Sequence, residues 1–198
     1  MNTKTLFSLI VIFLVSLLTG CASVVPMPTQ EGSMPPQMKS VEYYKTHLPE
    51  VIKKAEVTGD AATQYELAYV YGNYWYGVYD HPKHMYWIEK AAAQDNLPAL
   101  CAMSNKYYSG NPTIPKDVAV GDKLASRAYS IYISKPKSAW STYDINQISG
   151  ALLGRGTNAK TKELSKQYIC LAKSLSPASE NYIYSINKQI RERNIKCD

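Results

Sequence analysis

Histidine and cysteine are scarce in this chain, at 3 and 4 of 198 residues. Their spacing excludes most metal and nucleophile chemistry. No Cys-x-x-Cys, His-Glu-x-x-His, phosphate-loop lysine or Gly-x-Ser-x-Gly pattern occurs. His81 and His84 stand at i, i+3, a spacing that suits two ligands on one helical face. With Pro82 between them and no third ligand near, they read as a solvated helix start, and no metal is assigned. His47 is isolated, Gly154-Arg155-Gly156-Thr157 reads as a repeat loop, and Glu163 and Asp144 lack an acid–base context. The chain is therefore read as non-enzymatic, with no catalytic residue and no cofactor. Four cysteines are too few for a disulfide-scaffold mini-protein. Cationic density is low as well: 22 Lys+Arg against 16 Asp+Glu leaves a net charge of +6. Such a modest excess lacks the clustering of a nucleic-acid binder, so nucleic acid is not expected as a partner. A hydrophobic fraction of 45% supports a real core and excludes wholesale disorder.

Long apolar runs are also missing, save one at the N-terminus. Leu6 to Leu18 is nearly continuous but short of the roughly 20 residues that span a bilayer as a helix. It suits the apolar region of a secretory signal. The run ends in Leu18-Thr19-Gly20-Cys21, which resembles the bacterial lipoprotein processing box. The resemblance implies a signal peptide over 1–20, cleavage before Cys21, and lipid on its thiol and amine. Ala22, where inner-membrane lipoproteins often carry Asp, implies anchoring to the outer membrane, facing the periplasm. The next segment, 21–39, holds Pro26, Pro28, Gly32, Pro35 and Pro36 without an apolar period, and reads as a flexible linker.

The remaining cysteines sort by compartment. In an oxidising periplasm Cys101, Cys170 and Cys197 permit at most one intramolecular pair. Cys101 lies within an apolar helical pattern and reads as a small buried hydrophobe. Cys170 and Cys197 are closest in sequence and form the pair put forward, which requires the tail after Asn194 to fold back.

An internal period organises the rest. Gly59–Tyr71 overlays Asp95–Tyr107 at an offset of 36 residues, matching Leu67 with Met103, Ala68 with Ser104 and Tyr71 with Tyr107. Downstream, Asp80 meets Asp117, Trp87 meets Leu124 and Ala91 meets Ala128, at an offset of 37. Tyr65, Leu67, Ala68 and Tyr71 share one helical face, as do Met85, Ile88, Ala91 and Ala92 in the next helix. Ala68 and Ala91 allow close approach, and Asp80 can cap the second helix. The pattern predicts helices near 40–57, 61–72, 81–93, 97–108, 117–132, 141–153, 161–175 and 178–194.

This unit resembles the SEL-like repeat family, a relative of tetratricopeptide repeats. The residues that carry the likeness are Tyr65, Leu67, Tyr71, Asp80, Lys83, Trp87, Lys90, Ala91 and Ala92. In the second unit they are Ala99, Tyr107, Tyr108, Gly110, Ile114, Pro115, Lys116 and Asp117. Residues 51–60 resemble the end of a preceding unit, and 139–175 a degenerate third. The resemblance implies an all-α fold over 40–198: an α-solenoid of stacked antiparallel helix pairs, right-handed, closed by a polar C-terminal capping helix.

Where the family has loop glycines, this chain has Tyr74-Trp75-Tyr76, followed by Tyr79. Tyr and Trp offer large amphipathic contact area. Tyr74, Trp75, Tyr76 and Tyr79 are the candidates for a partner surface, with local packing as the alternative. Tyr71 and Trp87 read as core. Lys83, Lys90, Lys116, Lys123 and Arg127 read as solvated helix faces that could complement an acidic partner. Lipid-anchored SEL-like proteins resemble immunity proteins that neutralise periplasm-delivered effectors of type VI secretion, including lipase-class toxins. The functional expectation is a protein-binding module of that kind, reaching the membrane through its N-terminal lipid. A structural or scaffolding envelope lipoprotein is the alternative. Replacing Cys21 with Ser should move the protein from the detergent to the aqueous phase on fractionation. Aqueous partitioning of both forms would remove the lipoprotein reading.

Overall fold

The computed structural model describes residues 34–175, 177 and 179–197. The expected signal segment 1–20, the lipidation candidate Cys21 and the expected linker as far as residue 33 lie outside the described residues.

Among the described residues the chain is all-helical: α1 (Val41–Thr58), α2 (Ala61–Gly72), α3 (His81–Ala93), α4 (Leu97–Ser109), α5 (Val118–Ile133), α6 (Thr142–Thr157), α7 (Lys162–Ser174) and α8 (Glu180–Glu192). Short 3-10 turns at Tyr74–Tyr76 and Lys137–Ala139 interrupt two of the connections. Seven of these helices begin at a side-chain cap, namely Ser40, Asp60, Asp80, Asn96, Asp117, Ser141 and Thr161. Each accepts amide hydrogen bonds that the first helical turn leaves open, worth about 1 kcal/mol apiece. Ser141 and Asp144 form a reciprocal capping box, which is the role Asp144 has here.

The helices pack as successive pairs, α2 with α3, α4 with α5 and α6 with α7. In the first pair, Asp80 N–H donates to the Tyr71 carbonyl, His84 Nδ1–H to the Ala68 carbonyl, and Gln94 Nε2 to the Gly59 carbonyl. The partner numbers fall as the donor numbers rise, so the two helices are antiparallel. The second pair repeats this geometry at the spacing of the sequence period. Asp117 N–H donates to the Tyr107 carbonyl at 2.9 Å, as Asp80 does to Tyr71 at 3.0 Å. Gly59 and Asp95, which the overlay matches, both have left-handed backbone, with φ of 64° and 62°. Between pairs, α3 meets α4, and α6 meets both α4 and α5. α1 covers α2 at one end, and α8 rests on α6 and α7 at the other.

The core runs through all pairs. Leu67, Ala68, Val70, Ile88, Ala91, Leu100, Cys101, Ala128, Ile148, Leu152 and Ile169 are buried, as are Tyr71 and Trp87. Tyr65 of α2 and Tyr143 of α6 meet inside, hydroxyl to hydroxyl at 2.6 Å, joining the first pair to the third. The tail folds back as required: Ile195 is buried and Cys170 is bonded to Cys197, their Cα atoms 5.4 Å apart. Closing a loop of 27 residues' separation contributes about 3–4 kcal/mol through the unfolded chain.

Two local expectations are corrected. Gly154-Arg155-Gly156 is not a loop: it forms the last turn of α6, which runs to Thr157. The missing side chains there admit neighbours, Asn105 and Tyr108 at Gly154, and Ile169 at Gly156. The linker expected over 21–39 ends earlier, since Pro35 is buried and Met38 packs on the core.

The pairs also exchange bulk. A Cβ at Gly72 of α2 would lie 2.6 Å from the His84 ring of α3. At the equivalent positions the large residue is Tyr108 of α4 and the glycine is Gly121 of α5, where a Cβ would lie 2.8 Å from the tyrosine ring. Large and small have traded helices. Gly121→Ala should therefore destabilise by about 1–3 kcal/mol through overpacking. Combined with Tyr108→Leu, its effect in urea unfolding should be clearly less than additive. Strict additivity would mean that the ring does not set the helix spacing.

Candidate functional site

The connection between α2 and α3 carries the aromatic candidates. Its 3-10 turn ends at Gly77, whose φ of 71° a side chain would resist. This geometry turns Tyr76 inward and leaves its neighbours outside. Tyr74, Trp75 and Tyr79 are 73%, 65% and 42% exposed, whereas Tyr76 is 3% exposed. Tyr76 is thus a correction: its ring packs edge-on against Tyr44 and Tyr69, and it cannot serve as a surface anchor. Burial pushes its phenol up to about 12. The sequence carries no mark distinguishing Tyr76 from its neighbours; only the turn geometry does.

The exposed rings are held, not loose. Tyr74 and Tyr79 stack at 4.0 Å with an interplanar angle of 17°. A hydrogen bond with Tyr74 raises the Tyr79 phenol above the ordinary tyrosine value. Trp75 Nε1 donates to Asn73 Oδ1 at 3.2 Å. On the adjacent helix, Tyr86 is exposed with the Lys90 ammonium 4.5 Å from its ring centre. Lys83 pairs with Asp80 and lies over Tyr71. Lys116, Lys123 and Arg127 are exposed, and Arg127 is tied to Asp95 and to the Ala93 carbonyl.

This loop sits where the chain enters the body. Tyr44, buried beneath Tyr76, donates to Glu66 of α2 and accepts the Lys39 N–H at 3.3 Å, with Met38 Sδ 3.8 Å from its oxygen. Burial first, and then Glu66, raise its phenol pKa. Tyr44 therefore clamps the incoming strand, α2 and the aromatic turn together.

A second surface feature lies toward the other end. An open groove between α4, α6 and α8 is lined by Asn105, Gly150, Gly154, Tyr182, Ser185 and Lys188, among others. Tyr182 rests on Gly150, where a Cβ would lie 2.5 Å from its ring. Sequence reasoning missed this groove, because it brings together residues of three helices far apart in the chain, one of them Gly154, which reads as a loop residue. Beneath it, Cys101 is buried and free; burial first, then Asp144, push its thiol up and keep it protonated and unreactive.

No group of three or more metal-ligating side chains occurs among the described residues. No helix among them is long and apolar enough to cross a membrane. His84 is not the solvated terminus expected. It is largely covered, and burial depresses its pKa despite the bond to Ala68. The unfolded chain, with the ordinary value of 6.5, then holds more protons below that pH than the folded chain does. This stability contribution is complete above that value and is lost as the pH falls. Asp60 and Asp80, whose pKa values are lowered by hydrogen bonds, keep their contributions until the pH drops below the usual carboxylate value of 3.8. The urea midpoint should accordingly fall between about pH 7.5 and about pH 5.5. His84→Gln, which can still donate to Ala68, should flatten that slope; an unchanged slope would assign it elsewhere.

No protein-family model matches the chain, and neither a curated protein nor a solved structure does.

Proposed function

We propose that this protein is a lipid-anchored, non-catalytic protein-binding module of the periplasm, built as a stack of SEL-like helix pairs. Its most concrete form is an immunity protein that binds and neutralises a secreted antibacterial effector, lipase-class toxins being among the candidates. One observation carries the reading: the Asp80-to-Tyr71 hydrogen bond recurs between Asp117 and Tyr107 at the sequence's own period. A unit that repeats both in residues and in backbone bonding supports a solenoid, and such stacks offer preformed surfaces that need little ordering on binding. The processing box at Cys21 supports a tether at the outer membrane, where incoming effectors act.

The groove between α4, α6 and α8 is the surface this reading gives to the partner. It combines hydrogen-bonding groups from Asn105 and Ser185 with the Lys188 cation, and the Cys170–Cys197 bond ties the tail after α8 to α7. Its walls come from three different elements, so a partner seated there contacts the fold and not a single loop.

The test is deletion of the gene in an effector-producing strain, followed by competition with the parent. The deletion strain should be killed, and the full chain on a support should retain the effector. Ser185→Arg should weaken that retention by at least about tenfold while leaving the helical signal intact. Equal survival, with no effector retained, would leave the envelope-scaffold reading in its place.

A further inference from the structure

We infer that the exposed aromatic turn, Tyr74, Trp75 and Tyr79, is a bilayer-docking surface that seats the tether end of the body on the phospholipid headgroup region. The inference rests on the lipid-tether reading for its geometry, and on the turn itself for its chemistry.

The position of the turn comes first. Met38 and Lys39, the residues through which the tether enters, touch Tyr44, and Tyr44 packs 5.2 Å from Tyr76, between the exposed rings Trp75 and Tyr79 in sequence. The entry point and the aromatic turn therefore share one end of the molecule. From Cys21 to Met34 the chain reaches about 45 Å even fully extended. A compact body of this size is about 40 Å across. A lipid on Cys21 thus keeps the body within about one diameter of the membrane, with this end on the short side of the tether. A protein partner would find the same end the least accessible.

Residue chemistry agrees with that placement. Tyr and Trp rings, apolar in body and polar at the edge, favour the headgroup layer over both water and hydrocarbon. Here Tyr74 and Tyr79 stack into one slab, and Trp75 projects beside them with its indole nitrogen turned to Asn73. Lys39 is exposed at the tether entry, where a cation suits anionic headgroups, and Lys83, paired with Asp80 at 3.1 Å, is exposed in the first turn of α3. Because the tether supplies a high effective concentration, even weak ring insertion suffices to orient the body. Docking here turns the groove between α4, α6 and α8, built from the later helices, to a part of the molecule separate from the docked turn.

The experiment uses the full chain, wild type and Cys21→Ser, with vesicles of equal parts phosphatidylethanolamine and phosphatidylglycerol, plain or carrying brominated lipid. Trp75 is the exposed tryptophan, since Trp87 is buried and Trp140 is half-buried, so the difference between wild type and Trp75→Ala isolates its emission. Vesicle-bound protein should show Trp75 emission shifted to the blue and quenched by brominated lipid. Trp75→Ala in the Cys21→Ser background should lower vesicle binding by about tenfold. Failure of the tether reading has a separate signature: wild type and Cys21→Ser carry the same mass and bind vesicles equally, while Trp75 is still quenched. The proposal is overturned if Trp75 of the vesicle-bound chain is untouched by brominated lipid and stays open to acrylamide. Shielding of Trp75 only when the retained effector is added overturns it too, and assigns the turn to the protein partner.

Discussion

Helix spacing in this molecule is set by rings seated where side chains are missing. His84 fills the notch at Gly72, Tyr108 those at Gly121 and Gly154, and Tyr182 that at Gly150. Each contact brings two helices closer than a Cβ would allow, and each is anchored by a hydrogen bond or a cap nearby. His84 donates to Ala68, and Tyr108 donates to Asp122 at 2.7 Å. Densely packed interiors respond to a single added methyl group, so these notches hold the relative placement of the pairs. The groove and the aromatic turn are both consequences. The first lies along the α6 glycines, and the second follows directly from the last turn of α2, where Gly72 receives His84.

The helices that were legible in the sequence are those with a strong local signal. Between Ala61 and Ile133 the apolar period, the Asp and Asn caps and the 36-residue offset agree, and the helices fall within a residue of their expected limits. What was hidden depends on contacts across pairs. Gly154 and Gly156 look like loop residues in isolation, and only the rings and Ile169 opposite them make them helical. His84 looks solvated until Gly72 opens a place for it. Tyr76 resembles Tyr74 in every local respect, and its inward turn follows from Tyr44, 32 positions earlier in the chain. The candidate site was legible as a cluster of aromatic residues between two helical patterns. Its division into one core ring and three exposed ones was not, because burial follows the path of the turn and not the residue type.

The two ends of the molecule differ in how they are secured. At the N-terminal end of the described residues, polar and aromatic contacts around Tyr44 gather Met38 and Lys39, α2 and the aromatic turn. At the other end, α8 is amphipathic and buries Ile186, but it leaves Ile183 and Tyr184 exposed. Arg193 reaches back to the Thr157 carbonyl and the Ser165 hydroxyl, and the Cys170–Cys197 bond fixes the tail beyond it. A covalent link stands where noncovalent burial is thinnest.

The hydroxyl contact between Tyr65 and Tyr143 has a consequence for how the molecule comes apart. In an open solenoid each repeat leans only on its neighbours, so order can grow or fray one unit at a time. Here the first and third pairs touch directly across 78 positions of chain. Separating these two pairs breaks the contact and uncovers both phenols, so the burial and the hydrogen bond are lost together. The contact therefore couples the first pair to the third directly, so that opening one is felt in the other without passing through the second pair.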